Sequence, residues 1–244
     1  GKLGINASAY NTDWQDRNLT KSVTTGQGDS GDTDVIFLTG VNQKHSGVEL
    51  ETNYMVNDML DLMFVASFGN WKFDGDANGN YQETEYNSEG QAIGYTTTEY
   101  AYALDGLYVG DMPQTSYVLG VTLKPIKDLR IQAIHKMYDK NYSDWSPSAR
   151  EFDGTNDDAD RAQVWEAPSY NRLDLHMSYK LPKVKDLDMM LTANIFNVLD
   201  EVYVQDAVDN SQYNGYGSKQ HLPHNAEVFL GTPRYANIGL SIGF

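Results

Sequence analysis

Two groups of residues in this chain have the types and spacing to do chemistry. The first is the run Asp74, Asp76, Asn78, Gly79, Asn80 and Glu85, which fits the calcium-loop pattern D-x-[DN]-x-[DN]-G-x5-E. Asp74, Asp76 and Asn78 would supply side-chain oxygens and Asn80 a carbonyl. Gly79 would allow the sharp turn, and Glu85 would close the shell as a bidentate carboxylate. The competing reading is that Asp-Gly and Asn-Gly pairs are plain turn formers in a chain rich in Asp and Asn. The flanks are also strand-like, where such a loop normally sits between helices. The second group is aromatic. Trp71, Tyr81, Trp145, Trp165, Tyr213 and Tyr216 lie in polar stretches beside Asn and Asp, where they could stack on and hydrogen-bond a glycan or glycopeptide. Against that stands an aromatic girdle, or rings packing among themselves within loops.

Three other constellations are weaker. The acidic run Asp153 to Asp160 lacks a glycine at its sixth place and reads as a solvated loop. His221 and His224 could touch a metal, although five histidines are scattered along the chain without pattern. Asp174, His176 and Ser178 share one face of a strand, yet they fan out along it and nothing supplies an oxyanion hole. No residue is expected to perform bond chemistry, and calcium is the one cofactor the sequence raises.

Composition narrows the partners. The formal net charge is −16 over 244 residues, which disfavours nucleic acid because phosphate binding needs a basic surface. There is no cysteine, so no disulfide or thiolate metal site forms. No run of about 18 apolar residues exists to cross a bilayer as a helix. The low mean hydropathy leaves a barrel open, since only every second residue of a barrel strand meets lipid. No signal peptide is visible, and Gly1 leads directly into strand-like sequence, as expected of a mature chain that starts partway through a larger protein.

The elements that must carry these residues read as strands. In the closing stretch, Ala236, Ile238, Leu240, Ile242 and Phe244 alternate with Asn237, Gly239, Ser241 and Gly243. Side chains alternate across a strand, so this segment has one apolar and one thin, polar face. The pattern recurs from Lys2 to Tyr10, Val35 to Val56, Leu60 to Phe73, Pro113 to Pro125, Leu129 to Tyr142, Tyr170 to Leu181 and Leu187 to about Tyr203. Polar stretches between them, including the run from about Asn11 to Thr33 and that from Asp74 to Asp111, read as loops. His135 shares the face of Ile131 and Ala133, and a bulge is expected to correct it.

That gives about eight strands whose connections alternate long and short. The short ones, Asn57 to Met59, Pro125 to Asp128 and Pro182 to Asp186, would all fall on one rim. Transmembrane barrels show this asymmetry, whereas a soluble sandwich gives no reason for it. The fold expected is all-β: an antiparallel up-and-down transmembrane β-barrel segment.

The residues also carry a family resemblance. Arg234 to Phe244, preceded by Gly231, Thr232 and Pro233, resembles the C-terminal strand of TonB-dependent outer-membrane receptors. Asn194 to Asp200, followed by Tyr203, resembles that family's penultimate-strand motif. Gly47 to Glu51 resembles its Gly-Val-Glu-Leu-Glu strand, and Tyr10 with Trp14 to Arg17 resembles its aromatic-then-Asp-Trp-x-Asp strand. The order is right along the whole chain. The resemblance implies that residues 1–244 are the C-terminal part of a 22-stranded plugged barrel in the bacterial outer membrane. The ligand would be a glycan, of the SusC-like type, or an iron or cobalamin complex. It further implies that Glu49 and Glu51 face the plug and that Phe244 is the assembly signal read by the barrel-assembly machinery. Partners would be outer-membrane lipid, the receptor's own plug, TonB and a surface lipoprotein. Two other readings stay open: a complete eight-stranded barrel acting as an adhesin or anchor, and a lipid-modifying barrel enzyme.

Overall fold

The computed structural model describes residues 2–25, 32–153, 155, 157–183, 185–211, 214 and 220–243. Phe244, Tyr213 and Tyr216 lie outside the described residues. In chain order the strands are β1 (Leu3–Thr25), β2 (Asp32–Asn57), β3 (Leu60–Phe73), β4 (Ala77–Tyr86), β5 (Ala92–Tyr102), β6 (Thr115–Leu123), β7 (Leu129–Asp139) and β8 (Asn141–Tyr142). A one-turn helix α1 (Pro147–Arg150) precedes β9 (Glu151–Phe152) and β10 (Glu166–Ala167). The rest are β11 (Tyr170–Lys180), β12 (Asp188–Phe196), β13 (Val204–Val208), β14 (Glu227–Leu230) and β15 (Tyr235–Gly243).

Eight of these, β1-β2-β3-β6-β7-β11-β12-β15, pair antiparallel in that order and form a continuous wall. The three short connections, β2 to β3, β6 to β7 and β11 to β12, all lie on one rim, as the spacing implies. Registers across the wall explain why. Leu3, Tyr54, Leu62, Val121, Ala133, Leu175, Ile195 and Ala236 are successive cross-strand partners, so eight apolar side chains form one row on one face. The adjacent row on the other face runs Met55, Asp61, Thr122, Gln132, His176, Asn194 and Asn237. Slipping any pair by one residue would exchange the two sets, so the pattern fixes the register.

The apolar face is uncovered. Ile238 is 79% exposed, and Leu3, Val48, Leu119, Leu240 and Ile242 are also exposed. A soluble domain would not present so broad an apolar sheet to water, whereas lipid is its natural solvent. Above Val48 and Phe68 the same face turns polar at Asn11, Ser46 and Asn70, which marks the upper limit of the apolar band. His135 does sit in this band, between Leu119 and Leu173, and the expected bulge is absent because both ladders run without a shift there. Its ring nitrogen Nε2 lies 3.1 Å from Asn171 Oδ1, so each polar group meets the other on an otherwise apolar face.

The long-loop rim differs most from the sequence reading. β1 continues to Thr25 and pairs with β2 along its whole upper half, where the sequence suggested loop. At about 3.3 Å per residue the 26 residues of β2 reach on the order of 80 Å, far more than a bilayer needs. The stretch after Asp74 forms the β4–β5 hairpin, and β4 takes over from β3 as partner of β2. The longer connections also fold against one another. Leu38, Val41, Phe73, Tyr102, Leu104, Leu107, Trp145 and Val164 are buried together there, so among the described residues the main buried cluster joins the upper ends of β2 and β3 to the loop layer.

Candidate functional site

A pocket of about 480 Å³ opens where the polar face of the wall meets this layer. Its first side is β1. Trp14, Arg17, Leu19 and Lys21 all line it, although a regular strand would send Trp14 and Arg17 to opposite faces. The register shift between Trp14 and Arg17, three steps of β1 against two of β2, restores a common direction, and Asp16 adopts a left-handed φ of 52° there. The Asp16 N–H is held by Asn42 Oδ1 at 2.8 Å.

The floor comes from β2 and β3. Arg17 Nη1 donates to Gln43 Oε1 at 2.6 Å, and His45 Nε2 lies 3.2 Å from the same oxygen. The His45 ring stacks on Trp71 at 5.4 Å and tilts against Trp14 at 6.3 Å. Burial, aided by the nearby Arg17 charge, holds His45 below its ordinary value and so favours the neutral ring. Trp71 is fixed in turn. Its Nε1 donates to Tyr10 Oη at 2.9 Å, and its backbone N–H donates to Gln114 Oε1 at 2.9 Å.

These rings lie flat because Gly47 and Gly69 face each other beneath them. A Cβ on Gly47 would sit 2.6 Å from Tyr10 Cζ and 2.7 Å from the Phe68 carbonyl oxygen. Gly47→Ala is therefore expected to lift Tyr10, release the Trp71 indole and cost about 1–3 kcal/mol. A shift of tryptophan emission together with a lower unfolding midpoint would check this.

The far side is the loop layer. Lys21 pairs with Asp144, and its ammonium lies 5.0 Å above the Trp145 ring. Trp145 is buried edge-on against Phe73 and tilted against Tyr102. Gly110 packs so closely on Ser143 and Asp144 that a Cβ would stand 2.6 Å from the Ser143 carbonyl carbon, so only glycine fits. Burial, with Asp144 and Asp206 nearby, pushes Asp111 up to about 6.

Of the residues singled out from sequence, Trp145 lines this pocket and Trp71 supports it through His45. Trp165 lies elsewhere, its backbone carbonyl accepting from Ser143 and its N–H donating to Asp209. The backbone of Tyr81 belongs to β4. The bulge after Trp14 breaks the period of two that would have grouped Trp14, Arg17 and Lys21 on one face, and His45 lies on the polar face of a regular stretch of β2.

The calcium loop does not form. Asn78, Asn80 and Glu85 lie in β4, paired with β5, and seven residue steps along the strand place Asn78 and Glu85 roughly 23 Å apart. One ion cannot reach both. Asp74 pairs with Lys44 at 2.8 Å. Asp76 takes a two-pronged contact from Arg161 at 2.9 and 2.7 Å and the N–H groups of Leu104 and Asp105, and Arg161 holds its carboxyl below the usual range. The turn glycine is Gly75, at φ +101°, and Gly79 is in the strand. Among the described residues no three His, Asp or Glu side chains converge as metal ligands.

Asp174 and His176 also have separate partners. Asp174 accepts from Lys136 and from the Asn197 N–H, while His176 Nδ1 meets Asn194 Oδ1 at 2.8 Å. Glu49 accepts from Ser8 and Glu51 from Asn53, and neither has a cationic partner among the described residues. Asp160, read as part of a solvated loop, is instead bonded to His221.

The family model described as TonB dependent receptor-like, beta-barrel matches residues 1–198. Solved structures similar to the chain include the siderophore receptor PiuA from Acinetobacter baumannii, at 16% identity and a TM-score of 0.48 over 97% of this chain and 33% of that one. The ferric-catecholate import receptor Fiu from E. coli K12 is similar at 14% identity in its closed form, with a TM-score of 0.36 over 99% and 42% of the two chains. Its open form gives 14% and 0.33 over 98% and 38%. The chain thus spans about a third of the length of the first of these structures. No curated protein matches the sequence. The family match takes in every strand of the wall except β15, and the chain belongs to the TonB-dependent receptor-like β-barrel family.

Proposed function

We propose that this chain is the part of an outer-membrane receptor that walls the channel and captures ligand for uptake energised through TonB. The observation that carries this is the two-faced register of the eight-strand wall: an uninterrupted apolar row toward lipid backed by a polar row toward a lumen. In the complete receptor the wall closes with further strands to 22, and Glu49 and Glu51, which have no cationic partner among the described residues, meet basic side chains of the plug. The open second edges of β1 and β15 are where additional strands would pair.

The pocket at the mouth is the capture site. Trp14 is 48% exposed and offers a ring face, and Gln43, Arg17 and Asp111 offer hydrogen bonds around it. That combination suits a saccharide, whose C–H faces stack on indole and whose hydroxyls need both donors and acceptors. A metal-chelate nutrient is the second reading, favoured by the Arg17 guanidinium. Barrel-assembly machinery acting on Phe244 and a surface lipoprotein complete the expected partners.

In cells carrying the complete receptor, Trp14→Ala is expected to cut uptake of labelled saccharide about tenfold, the loss of one stacking contact, with surface abundance unchanged. Deleting TonB should abolish uptake by wild type and variant alike. Uptake that persists without TonB would overturn the transport reading. Unaltered uptake by the Trp14 variant would remove the pocket from it.

A further inference from the structure

The loop layer contains three charged groups and a histidine that the capture site does not use. Arg150, at the end of α1, is fully buried, as is Asp209 after β13. Arg150 Nη1 donates to the carbonyls of Asp160 and Ala162 at 3.0 and 2.6 Å, and Nη2 donates to Asp209 Oδ2 at 3.2 Å. His221 lies between the two carboxylates. Its Nδ1 is 2.5 Å from Asp209 Oδ2 and its Nε2 is 2.8 Å from Asp160 Oδ2. The backbone there is left-handed, with φ 49°.

We propose that Arg150, Asp160, Asp209 and His221 form a proton-dependent clasp that locks the 145–165 segment to the segment carrying β13 and β14. Both ring nitrogens of His221 face carboxylate oxygens, so both must carry protons for the two bonds to exist together. With an imidazolium the cluster holds two positive and two negative charges. With a neutral ring it is left with one uncompensated negative charge, and the Nδ1 lone pair, although 3.2 Å from the Arg150 Nη2 donor, also faces Asp209 Oδ2 at 2.5 Å. The groups facing the ring are Asp209 from the segment after β13, Asp160 from the acidic run and Arg150 from α1. The first two favour its charge and the third opposes it.

The clasp reaches the mouth pocket through the backbone. The Asp209 N–H donates to the Asp144 carbonyl at 2.7 Å, and the Asp144 N–H donates to the Ala207 carbonyl at 2.8 Å. Asp144 is the residue that holds Lys21 over Trp145. Opening the clasp therefore frees one wall of the pocket. That consequence rests on the pocket being the capture site, whereas the clasp stands on its own geometry.

The hydrogen bonds to Asp209, with the burial that opposes them, raise the His221 pKa above its ordinary value. The clasp is thus fully made below the ordinary imidazole value near 6.5 and is lost as pH rises through the raised value.

Spin labels on cysteines placed at the exposed positions Asp157 and Gln220 of the complete receptor would read the distance between the two segments without any ligand. The segment has no cysteine of its own to interfere. A narrow distance distribution is expected at about pH 5 and a broad, longer one at about pH 9, with far-UV circular dichroism unchanged. Asp160→Asn, which keeps Asp209 in place, should move the transition to lower pH, and His221→Gln should give the broad distribution throughout. A distribution equally narrow at both pH values in the unsubstituted receptor would overturn the clasp, and would leave the transport reading untouched.

Discussion

Replacing Arg150 with methionine is expected to cost the loop layer about 3–5 kcal/mol, the penalty for removing one partner of a buried ion pair. The guanidinium is fully buried, and it satisfies two carbonyls besides its two carboxylates. Without it the Asp209 carboxylate stays buried, facing His221 and the Trp165 N–H. Burial lowers the Arg150 pKa, against the Asp160 and Asp209 carboxylates that raise it. Amide exchange should accelerate in residues 145–153, 157–165, 204–211 and 220–230 and remain slow in the wall strands, whose ladders do not pass through the cluster. Arg150→Met combined with Asp209→Asn should recover a large part of the loss, because the charge left behind is the main penalty. If the double variant were as unstable as the single one, packing of the arginine stem would be the larger contribution.

Leu119→Arg should be nearly as damaging, and for a different reason. Leu119 lies midway along β6 on the apolar face, flanked by Phe64 and His135, and is about half exposed, so little packing is lost on replacing it. The cost arises from the solvent that face meets. An arginine near the bilayer midplane destabilises a barrel by about 2–4 kcal/mol. Ser178→Glu, on the opposite face of β11 and across from Arg130, should change stability by about a few tenths of a kcal/mol at most, because a lumen is wet. Refolding both variants of the complete receptor into phospholipid vesicles, with urea titration, would compare them directly. Equal tolerance of the two charges would mean that the apolar row does not meet lipid.

The way these predictions divide the molecule also shows what could be read in advance. The eight-strand meander, the common rim of its short turns and its apolar face were legible because each follows from period-two alternation, a local property that lipid imposes on every wall strand. Even Glu49 and Glu51 could be assigned to the polar face by counting residues from Leu50. The continuation of β1 beyond Tyr10 was hidden, since the register shift between Trp14 and Arg17 breaks the alternation while keeping Trp14, Arg17 and Lys21 on one side. The Asp74 to Glu85 run misled for the complementary reason. Its spacing satisfies a coordination pattern, but β4 finds a partner in β5 and in the upper half of β2, and an extended backbone cannot wrap an ion.

By itself, then, the sequence determined the wall, because alternation is written residue by residue and its solvent is the same along each strand. The tertiary structure alone decided the pocket and the clasp. Arg150 meets Asp209 across 59 positions and Asp160 meets His221 across 61. No local period encodes such pairs; they exist because the long connections, lacking lipid to face, bury their apolar side chains against one another and bring the charges together as they do so.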